Sequence, residues 1–151
     1  MNNIYILQSD PTEKTTDMIQ DIEKNTTLSQ FLENFRDSFS ETGVSDLIRS
    51  ELKKSGMTKA ALAKRAGISE VYLYQILSQR RHPSRDLMMC ICIDLSLSLE
   101  KTQCMLLSGG FAKLFIMHRR DAIIMYGILN KKNTYEVNDM LYTEHEQMLT
   151  H

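Results

Sequence analysis

From Thr27 onward the apolar residues recur at helical spacing, in short runs broken by a glycine or a few polar residues. Leu28, Phe31, Leu32, Phe35 and Phe39 lie on one face of a helix, and Thr27-Leu-Ser-Gln30 before them has the form of a capping box. The spacing predicts an amphipathic helix of about three turns, ended by Thr42-Gly43. Val44 to Lys54 turns Leu47, Ile48 and Leu52 inward and stops at Gly56. Thr58 caps the next helix, with Ala61, Leu62 and Ala66 inward and Gly67 as its end. Ser69 caps a third, carried by Leu73, Ile76 and Leu77, and Pro83-Ser84 opens a fourth through Leu87, Met88, Ile91 and Leu95. Ser98 begins a fifth, closed at Gly109-Gly110.

Both ends of the chain read differently from this middle. Apart from a short apolar head at Ile4 to Leu7, residues 1–26 are polar, Thr-rich and acidic, and are expected to form a mobile tail. Met18, Ile19 and Ile22 supply at most one turn of apolar contact. Past residue 110, Phe111 to Met117 is an apolar linker, Arg119 to Lys131 is a helical candidate, and Asn133-Thr-Tyr-Glu136 is a second capping box ahead of Val137, Met140 and Leu141. These make a helical hairpin, whose apolar side must pack on the preceding helices or on a second subunit. The divisions are therefore an acidic tail (1–26), an amphipathic helix (27–43), a five-helix domain (44–110) and a C-terminal helical extension (111–151).

Composition agrees with an all-α chain: 151 residues, 42% hydrophobic, with 7% aromatic residues, 6 Gly and 2 Pro against 10 Met, disfavour turn-rich β classes. No apolar run reaches the roughly 18 residues of a membrane span and the first residues lack a signal-peptide pattern, so a soluble cytoplasmic protein is expected. Cys90, Cys92 and Cys104 lack CxxC spacing and read as reduced core residues, with neither a disulfide framework nor a zinc site. His145-Glu146 falls short of a metalloprotease motif because Leu149 stands where the second His is needed. No phosphate loop or nucleophile elbow is present, and the chain is read as no enzyme and as needing no cofactor.

Charge changes the picture more than composition does. The net charge of −1 conceals 3 basic against 8 acidic residues over 1–43, 9 against 3 over 44–85, and 6 against 8 over 86–151. The basic residues are concentrated on the helices at the centre of the chain, where they can attract a polyanion despite the near-neutral total.

Those helices have the length and pattern of a helix-turn-helix: Ala63 and Ala66 allow close approach, Gly67 permits the turn and Ile68 fills the corner. With Tyr72-Leu73-x-Gln75-Ile76 and the helices on either side, residues 44–110 resemble the Cro and lambda-repressor type of DNA-binding domain, the XRE family. The stretches Tyr74 to Asp86, Leu97 to Gln103, Arg119 to Ile124 and Glu136 to Asn138 are similar to a branch of such regulators with an added C-terminal hairpin. The resemblance implies a five-helix lambda-repressor-like domain flanked by an N-terminal amphipathic helix and a C-terminal hairpin. It also implies a sequence-specific regulator of transcription that reads double-stranded DNA through the major groove with the helix starting at Ser69.

In such a frame Ser69, Glu70, Val71, Tyr74 and Gln75 are the candidate base readers. Gln75 suits adenine, Val71 a thymine methyl, and Tyr74 a base edge or a phosphate. Tyr72 and His82 are assigned packing and loop positions. Thr58 and Lys59, at a helix N-terminus, and Arg80, Arg81 and Arg85, after the reading helix, are the candidate phosphate contacts. Two departures stand out. Glu70 places a carboxylate where it repels phosphate, and Ser78-Gln79-Arg80 replaces the Glu-Asn-Gly that usually follows the reading helix. A homodimer is expected, because one reading helix makes few base contacts. Its interface is assigned to the hairpin residues Ile124, Ile128, Val137 and Leu141 in preference to Phe31, Phe35 and Phe39. The alternative is an adaptor that keeps the fold and binds a protein partner through the N-terminal helix or the hairpin.

Overall fold

The computed structural model describes residues 11–36, 39 and 43–150. Every regular element among them is a helix, and the chain divides into two units, Met1–Thr42 and Gly43–His151. No helix among the described residues is long and apolar enough to cross a membrane.

The first unit holds α1 (Pro11–Glu23) and α2 (Leu28–Asn34). α1 forms a 13-residue helix in the stretch expected to be a tail, where Met18, Ile19 and Ile22 offer only one turn of apolar contact. It ends where Asn25 takes a left-handed conformation (φ 59°), a position asparagine tolerates, and the Thr26 hydroxyl donates to the Asp21 carbonyl at 2.9 Å. The apolar head at Ile4 to Leu7 and the stop assigned to Thr42 lie outside the described residues. α2 is capped by Thr27 as expected, its hydroxyl accepting from Gln30 N, but spans 7 residues and stops before Phe39. Phe31 contacts the rings of Phe35 and Phe39, at 5.4 and 6.0 Å between centroids, so the aromatic stripe packs largely on itself. No α2 residue is buried.

The second unit contains α3 (Val44–Ser55), α4 (Lys59–Ala66), α5 (Glu70–Leu77), α6 (Arg85–Asp94), α7 (Leu99–Ser108), α8 (Arg119–Leu129) and α9 (Thr134–Thr143). Its helix starts are fixed by short polar side chains. Thr58, Ser69, Ser84 and Ser98 each accept a hydrogen bond from the backbone N–H three residues on, and Asn133 with Glu136 forms a complete capping box. Such caps contribute about 1 kcal/mol each. α3 and α4 end on Gly56 and Gly67, both left-handed (φ 69° and 70°), where a Cβ would strain the backbone.

α6 is the centre: every residue from Leu87 to Asp94 is buried, and it packs on α4, α7 and α9. A helix that is apolar all round is stable only when covered on every side. The cover on one side is the hairpin. Ile124, Val137 and Leu141 have no exposed surface and join Met88, Met89, Ile91 and Leu106 in one core. Burial of each large side chain stabilises the fold by about 1.5–3 kcal/mol. Gly127 lets α8 approach α9 closely, since a Cβ there would lie 2.6 Å from Val137 Cγ2.

This corrects the assignment of Ile124, Ile128, Val137 and Leu141 to a dimer interface. Three of its four named residues are consumed inside the unit, and Ile128 is half-buried against the same core. Large apolar or aromatic groups left exposed include Leu28 and Leu32 on α2, Leu107, Phe115, Ile116 and Met117 near the α7–α8 connection, and, on the outer side of the hairpin, Tyr126, Leu129, Tyr135 and Tyr142.

The connection itself is ordered by polar side chains. Gln103 accepts from Leu114 N (2.7 Å) and donates to Leu114 O (2.9 Å), standing in for a neighbouring strand. Arg120 makes two 3.0 Å contacts to Asp86 and reaches the Gln147 and Met148 carbonyls, tying the chain end to α6. Cys90 and Cys92 are buried on α6, and desolvation pushes both thiols up to about 12, so they stay protonated packing groups at neutral pH.

Candidate nucleic-acid interface

α5 is held by its apolar side. Leu73, Ile76 and Leu77 are buried, and α3 and α4 pack against it. The α4–α5 turn closes through Ile68 N to Ala63 O (3.0 Å) at Gly67, and Ile68 packs half-buried on the core as expected for the corner residue. At the other end the Arg49 guanidinium donates to the Leu77 carbonyl at 2.7 Å, fixing the C-terminus of α5 to α3. Nothing in local spacing points to Arg49, whose partner lies in a separate helix.

The opposite side of α5 is open. Val71 is 67% exposed and Tyr74 54%, Glu70 is exposed, and Gln75 is half-exposed. Glu70, Val71, Tyr74 and Gln75 thus lie along the first two turns of a helix whose remaining side chains are anchored. The Gln75 side-chain amide makes no hydrogen bond among the described residues, while its carbonyl accepts from Arg80 N (2.9 Å) and Arg81 N (3.1 Å). Ser69 serves as the cap of this helix, its hydroxyl oxygen accepting from Tyr72 N at 3.0 Å. Glu70 also supports the helix, because a carboxylate in the first turn opposes the positive end of the helix dipole. The same charge removes the attraction of that helix end for a phosphate.

Beyond α5 the chain turns through Gln79, which is left-handed at φ 63°, the conformation glycine adopts most easily. Gln79 N bonds to Ile76 O at 3.1 Å, so the turn closes without the glycine that usually follows the reading helix. Arg80 and Arg81 leave it exposed, and neither has a carboxylate partner among the described residues. The Arg81 guanidinium lies 5.7 Å from the Tyr72 ring centroid, which steadies it without neutralising it. Tyr72 is half-buried against the core, in the packing role expected of it. Lys59 is exposed in the first turn of α4, and Thr58 caps that helix by accepting from Ala61 N at 3.1 Å. Its uncapped N–H groups and the Lys59 charge form an anion-attracting end.

Arg85 does not belong to this set. Its guanidinium contacts both Asp121 oxygens, at 3.4 and 3.2 Å, and donates to the Ala112 and Lys113 carbonyls. Asp121, itself buried, also accepts from Phe115 N at 2.9 Å. These partners use the donors a phosphate would need, so the expected phosphate contact is corrected to a brace between α6 and the α7–α8 connection. His82 likewise contacts the Gly109 carbonyl at 3.0 Å and the Phe111 ring, at 5.6 Å between centroids, and so has a packing role.

Residues 48–100 match a family model described as Helix-turn-helix, from within α3 to the first turn of α7. No curated protein and no solved structure matches the chain. The protein therefore carries an all-α DNA-binding domain of the helix-turn-helix class. Within that class the domain matched over residues 48–100 is of the Cro/lambda-repressor, or XRE, type, with α4 and α5 as its two helices.

Proposed function

We propose that this protein is a sequence-specific regulator of transcription that places α5 in the major groove of double-stranded DNA. The observation that carries this reading is the two-sidedness of α5: Leu73, Ile76 and Leu77 anchor it, while Glu70, Val71, Tyr74 and Gln75 are presented outward. Gln75 pairs with an adenine edge, Val71 meets a thymine methyl, and Tyr74 reaches the neighbouring edge or phosphate. The Ser69 hydroxyl, which caps the helix by accepting from Tyr72 N, still has its hydrogen to offer. Lys59, the N-terminus of α4 capped by Thr58, and Arg80 with Arg81 hold the two flanking backbones and set the register without choosing the sequence.

Two copies are needed to read a site of two half-sites one helical turn apart. With Ile124, Val137 and Leu141 committed to the core, this pairing falls to groups that remain exposed: Leu28 and Leu32, the Leu107, Phe115, Ile116 and Met117 surface, or the outer side of the hairpin at Tyr126, Leu129, Tyr135 and Tyr142.

Selection of bound sites from random duplex DNA tests the reading. A defined motif is expected, and Gln75→Ala relaxes preference at one base position within each half-site, costing about 1–3 kcal/mol there. Equal weakening on every sequence would make Gln75 a backbone contact. No enrichment at all would favour an adaptor that keeps the fold for a protein partner.

A further inference from the structure

The last carbonyls of a helix have no partner within it and must find donors elsewhere. At the C-terminus of α5 they belong to Tyr74, Gln75, Ile76 and Leu77. The turn through Gln79 satisfies three of them. Ser78 N bonds to Tyr74 O at 2.8 Å, Gln79 N to Ile76 O, and Arg80 N and Arg81 N to Gln75 O. This is the arrangement that closes many helices, and it leaves the final carbonyl out. Leu77 O receives no backbone N–H among the described residues, and the Arg49 guanidinium supplies the missing donor from α3.

That bond uses little of Arg49. A guanidinium carries five N–H donors, of which Leu77 takes one, and the others make no hydrogen bond to the described residues. Arg49 is exposed, and no described carboxylate lies within ion-pair distance of it, Asp46 one helical turn earlier included. A neutral amide could satisfy a carbonyl, so the charge is left over. It stands at the end of α5 from which the chain emerges with Arg80 and Arg81, the other two exposed arginines without a described counter-anion.

We propose that Arg49 is a positioning residue for DNA reading, holding the Leu77 carbonyl with one N–H and a DNA phosphate with others. The planar fork of arginine serves two acceptors at once. The phosphate is thereby joined through one side chain to the C-terminal end of α5, and it sets where Gln75, two residues before that carbonyl, meets the groove. This inference rests on the reading of α5 as the helix in the major groove.

The test measures affinity against salt for the full chain on the duplex it selects and on a scrambled duplex of equal length. In Arg49→Ala the salt slope is expected to fall by about one unit on both duplexes, and the ratio of their affinities by about tenfold. Arg49→Lys restores the slope, because an ammonium still meets a phosphate, but not the ratio, because a point charge lacks the fork. An unchanged slope in folded Arg49→Ala would leave Arg49 a brace alone and overturn the proposal. A reduced slope with an unchanged ratio would overturn the positioning role. Should Arg49→Ala fail to fold, Arg49→Gln removes the charge, keeps an amide donor and gives the same slope test. A native chain that binds neither duplex would overturn the reading of α5 itself and this role with it, whereas a native chain that selects a motif beside unchanged Arg49 variants overturns this role only.

Discussion

Arg81 and Arg85 stand a few residues apart in one basic stretch, yet they belong to different regions of the molecule. Arg81 leaves the turn after α5 exposed, with only the Tyr72 ring beside it. Arg85, with Arg120 nearby, lies in the seam between α6 and the C-terminal extension, where Asp121 and Asp86 take both guanidinium groups. A cation's role is decided by whether the fold supplies an anion: where it does the residue is a brace, and where it does not the charge is available to a partner. The same contrast separates the helices. α5 keeps one face for the outside, whereas the hairpin buries Ile124, Val137 and Leu141 and contributes to the core.

The largest effect that sharpens this comparison is on stability. Arg85→Ala leaves Asp121 buried with one guanidinium fewer, and is expected to lower the unfolding free energy by about 2 kcal/mol. This is less than for a fully buried pair because the Arg85 side chain is 26% exposed and its charge partly screened. Arg81→Ala shifts stability by no more than about 0.5 kcal/mol. Urea unfolding measures both. A destabilised Arg81→Ala beside an unaffected Arg85→Ala would reverse the two roles.

A smaller effect concerns the turn that presents Arg80 and Arg81. Gln79 holds its left-handed backbone at the cost of local strain. Gln79→Gly relieves about 1–2 kcal/mol of it, offset in part by the greater freedom of glycine in the unfolded chain. A net gain of about 0.5 kcal/mol in thermal or urea unfolding is expected. A clear loss of stability would show that the Gln79 side chain, which lies beside Gly43, contributes more than the strain costs.

How much of this is legible in the sequence follows from the range of each interaction. Thr58, Ser69, Ser84, Ser98 and Asn133 start their helices where expected, because a cap bonds only three residues ahead and its pattern is local. Gly56 and Gly67 are readable as stops for the same reason. The exposure of Val71 and Tyr74 opposite Leu73 and Leu77 is likewise a matter of helical period. Arg85 misleads because Asp121, its anion, comes from the far side of the α7–α8 connection, and a basic run looks the same whether or not the fold answers it. The hairpin's apolar side plainly needs cover, but periodicity cannot distinguish the core of the same chain from a second subunit. α1 is helical over 13 residues although its polar, Thr-rich sequence offers only one turn of apolar contact to signal it.

The central claim is that the α4–α5 face, and not the α6–hairpin seam, meets DNA. Its most direct test is the salt dependence of binding to duplex DNA by the native chain, Arg81→Ala and Arg85→Ala, all folded at the temperature used. Affinity is expected to fall linearly on a logarithmic salt scale, with a slope smaller by about one unit in Arg81→Ala and an unchanged slope in Arg85→Ala. Binding that is absent or insensitive to salt, or a slope that drops with Arg85 and not with Arg81, would contradict it.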